Sequence, residues 1–325
     1  MPVALITGIS GQDGSYLASY LIEMGYHVIG VVKDKKRPLS FFTSTQMKSI
    51  ELIEFDFLDV KSIAEKLHTY KPNEIYNFAA YSSGSGIFDN PIEMADLNGL
   101  AVLRILEAIR EVNNNIRFCQ ASSSEIFGDA IDSPQSESSI TNPRSPYGAA
   151  KLFADTMIRI YRHKYKIFAC SAILYNHESP IRRLEFVTRK ITHEAARIKL
   201  GLSNELRLGN LDAVRDWGFA GDYIKAMWLM LQKNIPDDYV ISTGEAHTVR
   251  DFCNISFGYL GLDYRDYVRQ DPLEYRPFEK APLVGNSSKA RKFLKWSPVI
   301  DFQGLIKIMI DADLESCSTN TLRER

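Results

Sequence analysis

The chain has 325 residues, 45% hydrophobic and 24% charged, with 39 lysines and arginines against 40 aspartates and glutamates and a formal charge of -1. This is globular composition with length for one large or two smaller folding units, and the charge balance argues against nucleic acid as a partner. No apolar run reaches the ~18 residues of a membrane span. Met1 leads straight into a strand pattern rather than a leader sequence. The four cysteines (Cys119, Cys170, Cys253, Cys317) show no CxxC spacing, so neither a metal centre nor a disulfide framework is expected. A cytoplasmic protein with reduced thiols is the expectation.

Along the chain, Val3–Thr7, His27–Val32, Leu52–Phe55 and Ile75–Phe78 read as short buried strands. Helical spacing separates them at Ser15–Met24 and Val60–Tyr70. An amphipathic helix follows at Gly99–Arg110, then strands at Ile116–Ala121, Phe168–Leu174 and Tyr239–Ser242. Strands alternating with helices predict an α/β fold, a doubly wound parallel sheet of Rossmann type. The pattern loosens after Leu174, resumes as a helix from about Val187 to Leu200, and is proline-rich with little periodicity over residues 264–300. These parts predict a smaller mixed lobe over the mouth of the sheet. The expected division is 1–175 plus about 213–245 for the sheet domain and about 176–212 plus 246–315 for the lobe. A frayed tail is expected over 316–325. Met227–Leu231 is expected to be helix core or a subunit contact.

Directly after the first strand stands Thr7-Gly8-Ile9-Ser10-Gly11-Gln12-Asp13-Gly14. A GxxGxxG turn between a first strand and a first helix permits a tight bend and a close backbone approach to a pyrophosphate at the positive helix end. A dinucleotide cofactor is therefore expected; a merely flexible loop is the plainer reading. The second strand ends Lys33-Asp34-Lys35-Lys36-Arg37, where cations favour the 2′-phosphate of NADP and an acid the ribose of NAD. NADP is expected over NAD, with a solvated charged loop as the alternative.

Tyr147 and Lys151, four apart in SPYGAAKLFAD, fall on one helical face. A neighbouring ammonium should lower the phenol pKa and fit Tyr147 to exchange a proton with a sugar hydroxyl. An amphipathic surface helix would show the same spacing. Past the strand ending at Ala121 lies Ser122-Ser123-Ser124-Glu125, at the carboxyl end of a strand where ligands bind in such sheets. Either a serine and Glu125 serve the reaction, or they form a helix cap. No histidine has partners at metal-ligand spacing, though His177 sits in an unusual segment.

GxxGxxG with YxxxK resembles the extended short-chain dehydrogenase/reductase superfamily. Longer stretches (LITGISGQDGSYLASYLIEMGY, QASSSEIFG, PRSPYGAAKLFAD, NHESP, FVTRKIT, LGNLDAVRDWGFAGDYIKAMWLML and YRPFE–GNSSKARKFLKW) are similar to the GDP-mannose 4,6-dehydratase family and span residues 5 to about 296. The resemblance implies catalytic roles for Ser123, Glu125, Tyr147 and Lys151. It implies cofactor contacts at Gly8, Ser10, Gly11, Gln12, Asp13, Gly14, Lys33, Asp56 and Ala79, shared by Tyr147 and Lys151. Substrate contacts fall at Ser82, Ser85, Asn176, Val187, Lys190, Arg215, Arg276 and Glu279. The implied chemistry is oxidation at C4, deprotonation at C5 by Glu125, loss of the C6 hydroxyl as water, and return of hydride to C6. The substrate is a GDP-sugar and the assembly a homodimer or homotetramer.

Three departures from the family stand out. Ala80-Tyr81-Ser82-Ser83-Gly84-Ser85-Gly86 replaces an AQSHV-type segment beside the sugar, Ile181-Arg182-Arg183 replaces Arg-Arg-Gly after NHESP, and Lys33-Asp34 replaces a double arginine. Another GDP-hexose, an epimerase or reductase on the same scaffold, and a silent NADP-binding regulator remain as alternatives.

Overall fold

A computed structural model describes residues 1–36, 39, 41–81, 88–271 and 282–323, with side chains to residue 319. Its first half is built of strand–helix units. β1 (Val3–Thr7) leads to α1 (Gln12–Glu23), β2 (His27–Val31), the short α2 (Ser44–Met47), β3 (Ile50–Ile53) and α3 (Val60–Tyr70). Then come β4 (Glu74–Asn77), α4 (Pro91–Ala95), α5 (Ala101–Val112), β5 (Arg117–Ala121), α6 (Pro146–Tyr165) and β6 (Ala169–Leu174). The second half holds β7 (Asn176–Glu178), α7 (Val187–Lys199), β8 (Leu206–Leu208), β9 (Val214–Arg215), β10 (Trp217–Phe219) and α8 (Ala220–Leu231). β11 (Tyr239–Ile241), β12 (His247–Thr248), α9 (Val249–Tyr259), α10 (Tyr264–Tyr267), β13 (Val268–Gln270), α11 (Ser288–Leu294) and α12 (Phe302–Arg323) follow.

Seven parallel strands form the central sheet in the order β11-β6-β5-β4-β1-β2-β3. Alternate strand residues feed two apolar layers, as period-2 geometry requires. One layer joins Leu17, Leu21, Met227 and Met230 to Ala4 and Ile6. The other joins Ile63, Ile105, Ile109 and Ile158 to Leu5 and Phe118. The sheet is thus doubly wound, and its strand order reverses between β1 and β4, the place where a ligand crevice opens. A separate core gathers Ile191, Trp217, Phe252, Phe257, Leu305 and Met309. Met227–Leu231 belongs to a buried helix, as expected.

Three sequence expectations need correction. The third strand runs Ile50–Ile53 rather than Leu52–Phe55, because parallel pairing aligns Val28 with Ile50 and Val31 with Ile53. The helix expected at Gly99 is preceded by a π-helical turn, Asp96–Leu100. That turn aims the buried Asn98 amide at Tyr81, accepting its N–H at 2.7 Å and donating to its carbonyl at 2.9 Å. Finally, the residues from Ser316, expected as a tail, continue α12 to Arg323, and Cys317 within that helix is buried. The proline-rich stretch after 264 also carries α10, β13 and α11.

Candidate active site

The carboxyl ends of β1, β4 and β5 are tied by a row of buried amides. Thr7 donates its hydroxyl to Asn77 at 2.5 Å, Asn77 donates to Gln120 at 2.7 Å, and Gln120 donates to the Ala121 carbonyl at 2.7 Å. Lys151, 2% exposed, gives its Nζ to the same carbonyl at 2.7 Å. The strand ends and the start of α6 are therefore one connected surface.

Beyond Ala121 the chain makes a single tight helical turn, Ser124–Ile126, capped by Ser123, whose hydroxyl accepts the Glu125 N–H at 3.2 Å. α6 starts beside it. Ser145 caps that helix by accepting the Gly148 N–H at 3.1 Å, and Pro146 opens its first turn. Gly148 lets the two turns touch, since a Cβ there would lie 2.4 Å from the Glu125 carbonyl oxygen. Tyr147 is brought close to Ser123, whose hydroxyl bears on the phenol. Glu125 is half-buried, and its Oε2 is sealed from solvent without a hydrogen-bond partner. Such an orphaned acceptor is costly unless a ligand satisfies it. Ser123 is thus a helix cap and also a neighbour of the phenol.

The electrostatics differ from expectation at one point. Burial lifts the Tyr147 phenol to about 12, the Ser123 hydrogen bond pulling it down and Glu125 pushing it further up. Lys151 lies 5.7 Å from the ring centroid but spends a proton on the Ala121 carbonyl. The net displacement of the phenol is upward. Burial lowers Lys151 itself to about 8, against the pull of Asp155 and Asp13.

Opposite this wall stands the glycine turn. Gly8 bends the chain at φ +68, and a Cβ on Gly14 would lie 2.4 Å from the Gly8 oxygen. No side chain caps the N-terminus of α1, leaving the helix end fit to face an anionic group. Ser10 and Gly11 are exposed there, and the Ala79 N–H is held by Thr7 at 3.0 Å. The side chains of Gln12 and Asp13 instead turn to β7. Asp13 pairs with His177 Nε2 at 3.0 Å, Ser179 donates to Gln12 at 2.7 Å, and Gln12 donates to the His177 carbonyl at 3.1 Å. Burial opposes the Asp13 charge, yet His177 prevails and holds the carboxyl at about 2. Burial likewise opposes the imidazolium, but Asp13 outweighs it and raises the His177 pKa.

The other expected contacts are dispersed. Lys33 is exposed beyond β2, and exposed Asp56 accepts the Leu58 N–H at 2.8 Å. Asn176 opens β7, Val187 opens α7 with Lys190 one turn on, and Arg215 ends β9. Ser82, Ser85, Arg276 and Glu279 lie outside the described residues. Sequence reasoning missed Arg182, whose guanidinium stacks 3.7 Å from the Phe186 ring centroid, pairs with buried Glu178 at 3.2 Å and bears electrostatically on Tyr147. It also missed Asp155, one turn beyond Lys151; the spacing YxxxKxxxD was the available signal. Among the described residues no three His, Cys, Asp or Glu side chains gather as a metal site, and no helix is long and apolar enough to cross a membrane. All four cysteines are free and buried.

The family model for GDP-mannose 4,6 dehydratase covers residues 5–309. GDP-mannose 4,6 dehydratase 1 of Arabidopsis thaliana is 46% identical over 96% of this chain and 90% of its own. The human enzyme of that name is 41% identical over 98% and 93%, and that of Vibrio cholerae 39% over 99% and 96%. In fold the chain is similar to UDP-glucose 4-epimerase of Thermotoga maritima, solved with UDP-glucose (TM-score 0.85, 21% identity, 97% and 99% covered). It is also similar to dTDP-glucose 4,6-dehydratase of Bacillus anthracis in complex with NAD (TM-score 0.83, 20% identity, 98% of both chains). By the family model and the identity of its sequence relatives, the chain belongs to the GDP-mannose 4,6-dehydratase family.

Proposed function

We propose that the protein dehydrates GDP-mannose to GDP-4-keto-6-deoxymannose, holding a nicotinamide dinucleotide on the glycine turn between β1 and α1. The observation that carries this reading is the meeting of Tyr147, Ser123 and the orphaned Glu125 carboxylate at the carboxyl end of β5. A reductase needs the phenol but has no use for a second base beside it. The bound nicotinamide supplies a store for the hydride that leaves C4 and returns to C6.

The residues then divide the proton traffic. Tyr147 exchanges the proton of the C4 hydroxyl, with Ser123 hydrogen-bonded to the phenol to orient both oxygens. Glu125 removes the C5 proton, which a ketone at C4 makes acidic. Of the two protons then held by Tyr147 and Glu125, one goes to the C6 hydroxyl, which departs as water, and the other is returned at C5 as C6 is reduced. Lys151 contributes a fixed positive charge behind the phenol, anchored through the Ala121 carbonyl.

NADP is preferred because Lys33, Lys35 and Lys36 are exposed at the end of β2 whereas Asp34 accepts the Lys36 N–H at 2.8 Å and serves its own turn. Residues 1–175 with about 213–245 hold the dinucleotide, and 176–212 with 246–315 hold the nucleotide sugar. Assembly as a homodimer or homotetramer in the cytoplasm belongs to the same reading. The test is incubation of the purified protein with GDP-mannose, without added cofactor, followed by mass spectrometry. A product lighter by about 18 Da is expected, with the cofactor retained through each turnover. A product of unchanged mass points to epimerisation and overturns the assignment.

A further inference from the structure

Asp155 is 1% exposed, four residues after Lys151 on the same face of α6. It occupies a slot between β5 and β6. Ser122 donates its hydroxyl to Oδ2 at 2.6 Å, and Ser171 donates to Oδ1. Among the described residues the carboxylate forms no salt bridge within 4 Å. The Ser122 backbone N–H is itself bonded to the Ala172 carbonyl at 2.8 Å, so the clamp is part of the sheet. The residue before Ser122 is Ala121, whose carbonyl receives the Lys151 ammonium. A buried carboxylate satisfied only by hydroxyls is expensive, and the fold accepts that cost directly behind a buried lysine.

Resting on the dehydratase reading above, we propose that Asp155 is a positioning residue for the reaction: fixed by Ser122 and Ser171, it keeps Lys151 charged and so sets the alkaline limit of activity. The charged groups around the pair are few. Lys151 feels Asp155 and, from α1, Asp13. Asp155 feels Asp238 ahead of β11 and Arg159 one turn further along α6. Burial pulls Lys151 down to about 8, with Asp155 the stronger of its two opposing influences. Burial lifts Asp155 to about 6, resisted by the two serines. Between those values both groups are charged, and Lys151 depends on Asp155 for the upper bound.

The experiment compares wild type, Asp155→Asn, Asp155→Glu and Ser122→Ala for the pH dependence of kcat/KM on GDP-mannose. In Asp155→Asn the alkaline limb moves to lower pH by about one unit, the low end for loss of an opposed charge. At pH 6 its rate stays close to wild type, and Asp155→Glu restores the wild-type limb. A uniform loss of rate with the limb unmoved would show that Asp155 is packing alone and overturn the proposal. Should Asp155→Asn fail to fold, Ser122→Ala decides: a carboxylate released from one of its two hydroxyls holds Lys151 less firmly, so the alkaline limb moves to lower pH by less than in Asp155→Asn, and an unmoved alkaline limb refutes the idea. NADP affinity, titrated by fluorescence over the same pH range, is the second readout and weakens at lower pH in Asp155→Asn. Because that readout needs no turnover, a wild-type protein that ignores GDP-mannose faults the dehydratase reading while the Asp155 comparison still stands or falls.

Discussion

The glycine turn and the wall of Ser123, Glu125, Tyr147 and Lys151 both hold charged side chains away from solvent, yet they treat them in opposite ways. At the turn the side chains of α1 are paired: Asp13 has His177, and Gln12 has Ser179 and the His177 carbonyl. His177 also stacks on Tyr223 at 5.1 Å and binds the Tyr175 carbonyl through Nδ1 at 2.8 Å. At the wall, Glu125 has an oxygen without a partner, Tyr147 is pushed to about 12, and Lys151 is brought down to about 8 by burial. A satisfied buried network is architecture, holding β7 against α1. Unsatisfied and displaced groups mark where a ligand is meant to complete the set.

The largest effects should come from the unsatisfied side. Tyr147→Phe should lower kcat by roughly 10²–10⁴ through loss of the proton relay, with the melting temperature near wild type. If turnover survived, the contrast would collapse. Glu125→Gln should cost a similar ~10²–10⁴ and abolish exchange of the C5 proton with deuterated solvent; intact exchange would remove Glu125 as the base.

On the satisfied side the expected losses are of stability. His177→Ala leaves Asp13 buried without its cation and should cost about 1–3 kcal/mol in denaturant unfolding. The linkage has a definite direction. The raised His177 pKa contributes stability that is full below the ordinary histidine value and fades as pH rises through the folded one. The depressed Asp13 contributes above the ordinary aspartate value and is lost as pH falls towards about 2. His177→Ala should therefore flatten the alkaline decline of stability, and a decline equal to wild type would place its cause elsewhere.

The smallest effect is expected at the rim. Lys33→Glu should shift the ratio of NADP to NAD affinity by roughly tenfold, as fits an exposed charge worth about 1 kcal/mol. An unchanged ratio would assign cofactor choice to other residues.

What could be read from the chain beforehand follows this division. The glycine turn and YxxxK are local, because their chemistry depends on neighbours a few residues apart on one turn or one helical face. The latch was not legible, since Asp13 and His177 are 164 positions apart and meet only after β7 docks. Asp155 was in view four residues past Lys151, but its meaning comes from Ser122 and Ser171, which belong to two adjacent strands. The third strand shifted because pairing with β2, rather than the local apolar run, decides its ends. Ser316 onward reads as polar, yet α12 packs beside α7, where Cys317 approaches His193 at 3.9 Å.

The position of β1 also orders events in time. It is the first strand made and lies in the middle of the sheet, flanked by β2 and by β4, whose partner residues are about 70 positions later, as in the Thr7–Asn77 pair. A nascent chain can assemble the glycine turn and five strands once Ala121 has emerged, but Lys151 has no buried slot until α6 and β6 exist, and β6 has no outer neighbour until β11 is made. Such long-range closures are slow relative to local helix formation. The glycine turn can therefore form before the wall of Ser123, Tyr147 and Lys151, whose side chains are gathered last, onto a surface already folded.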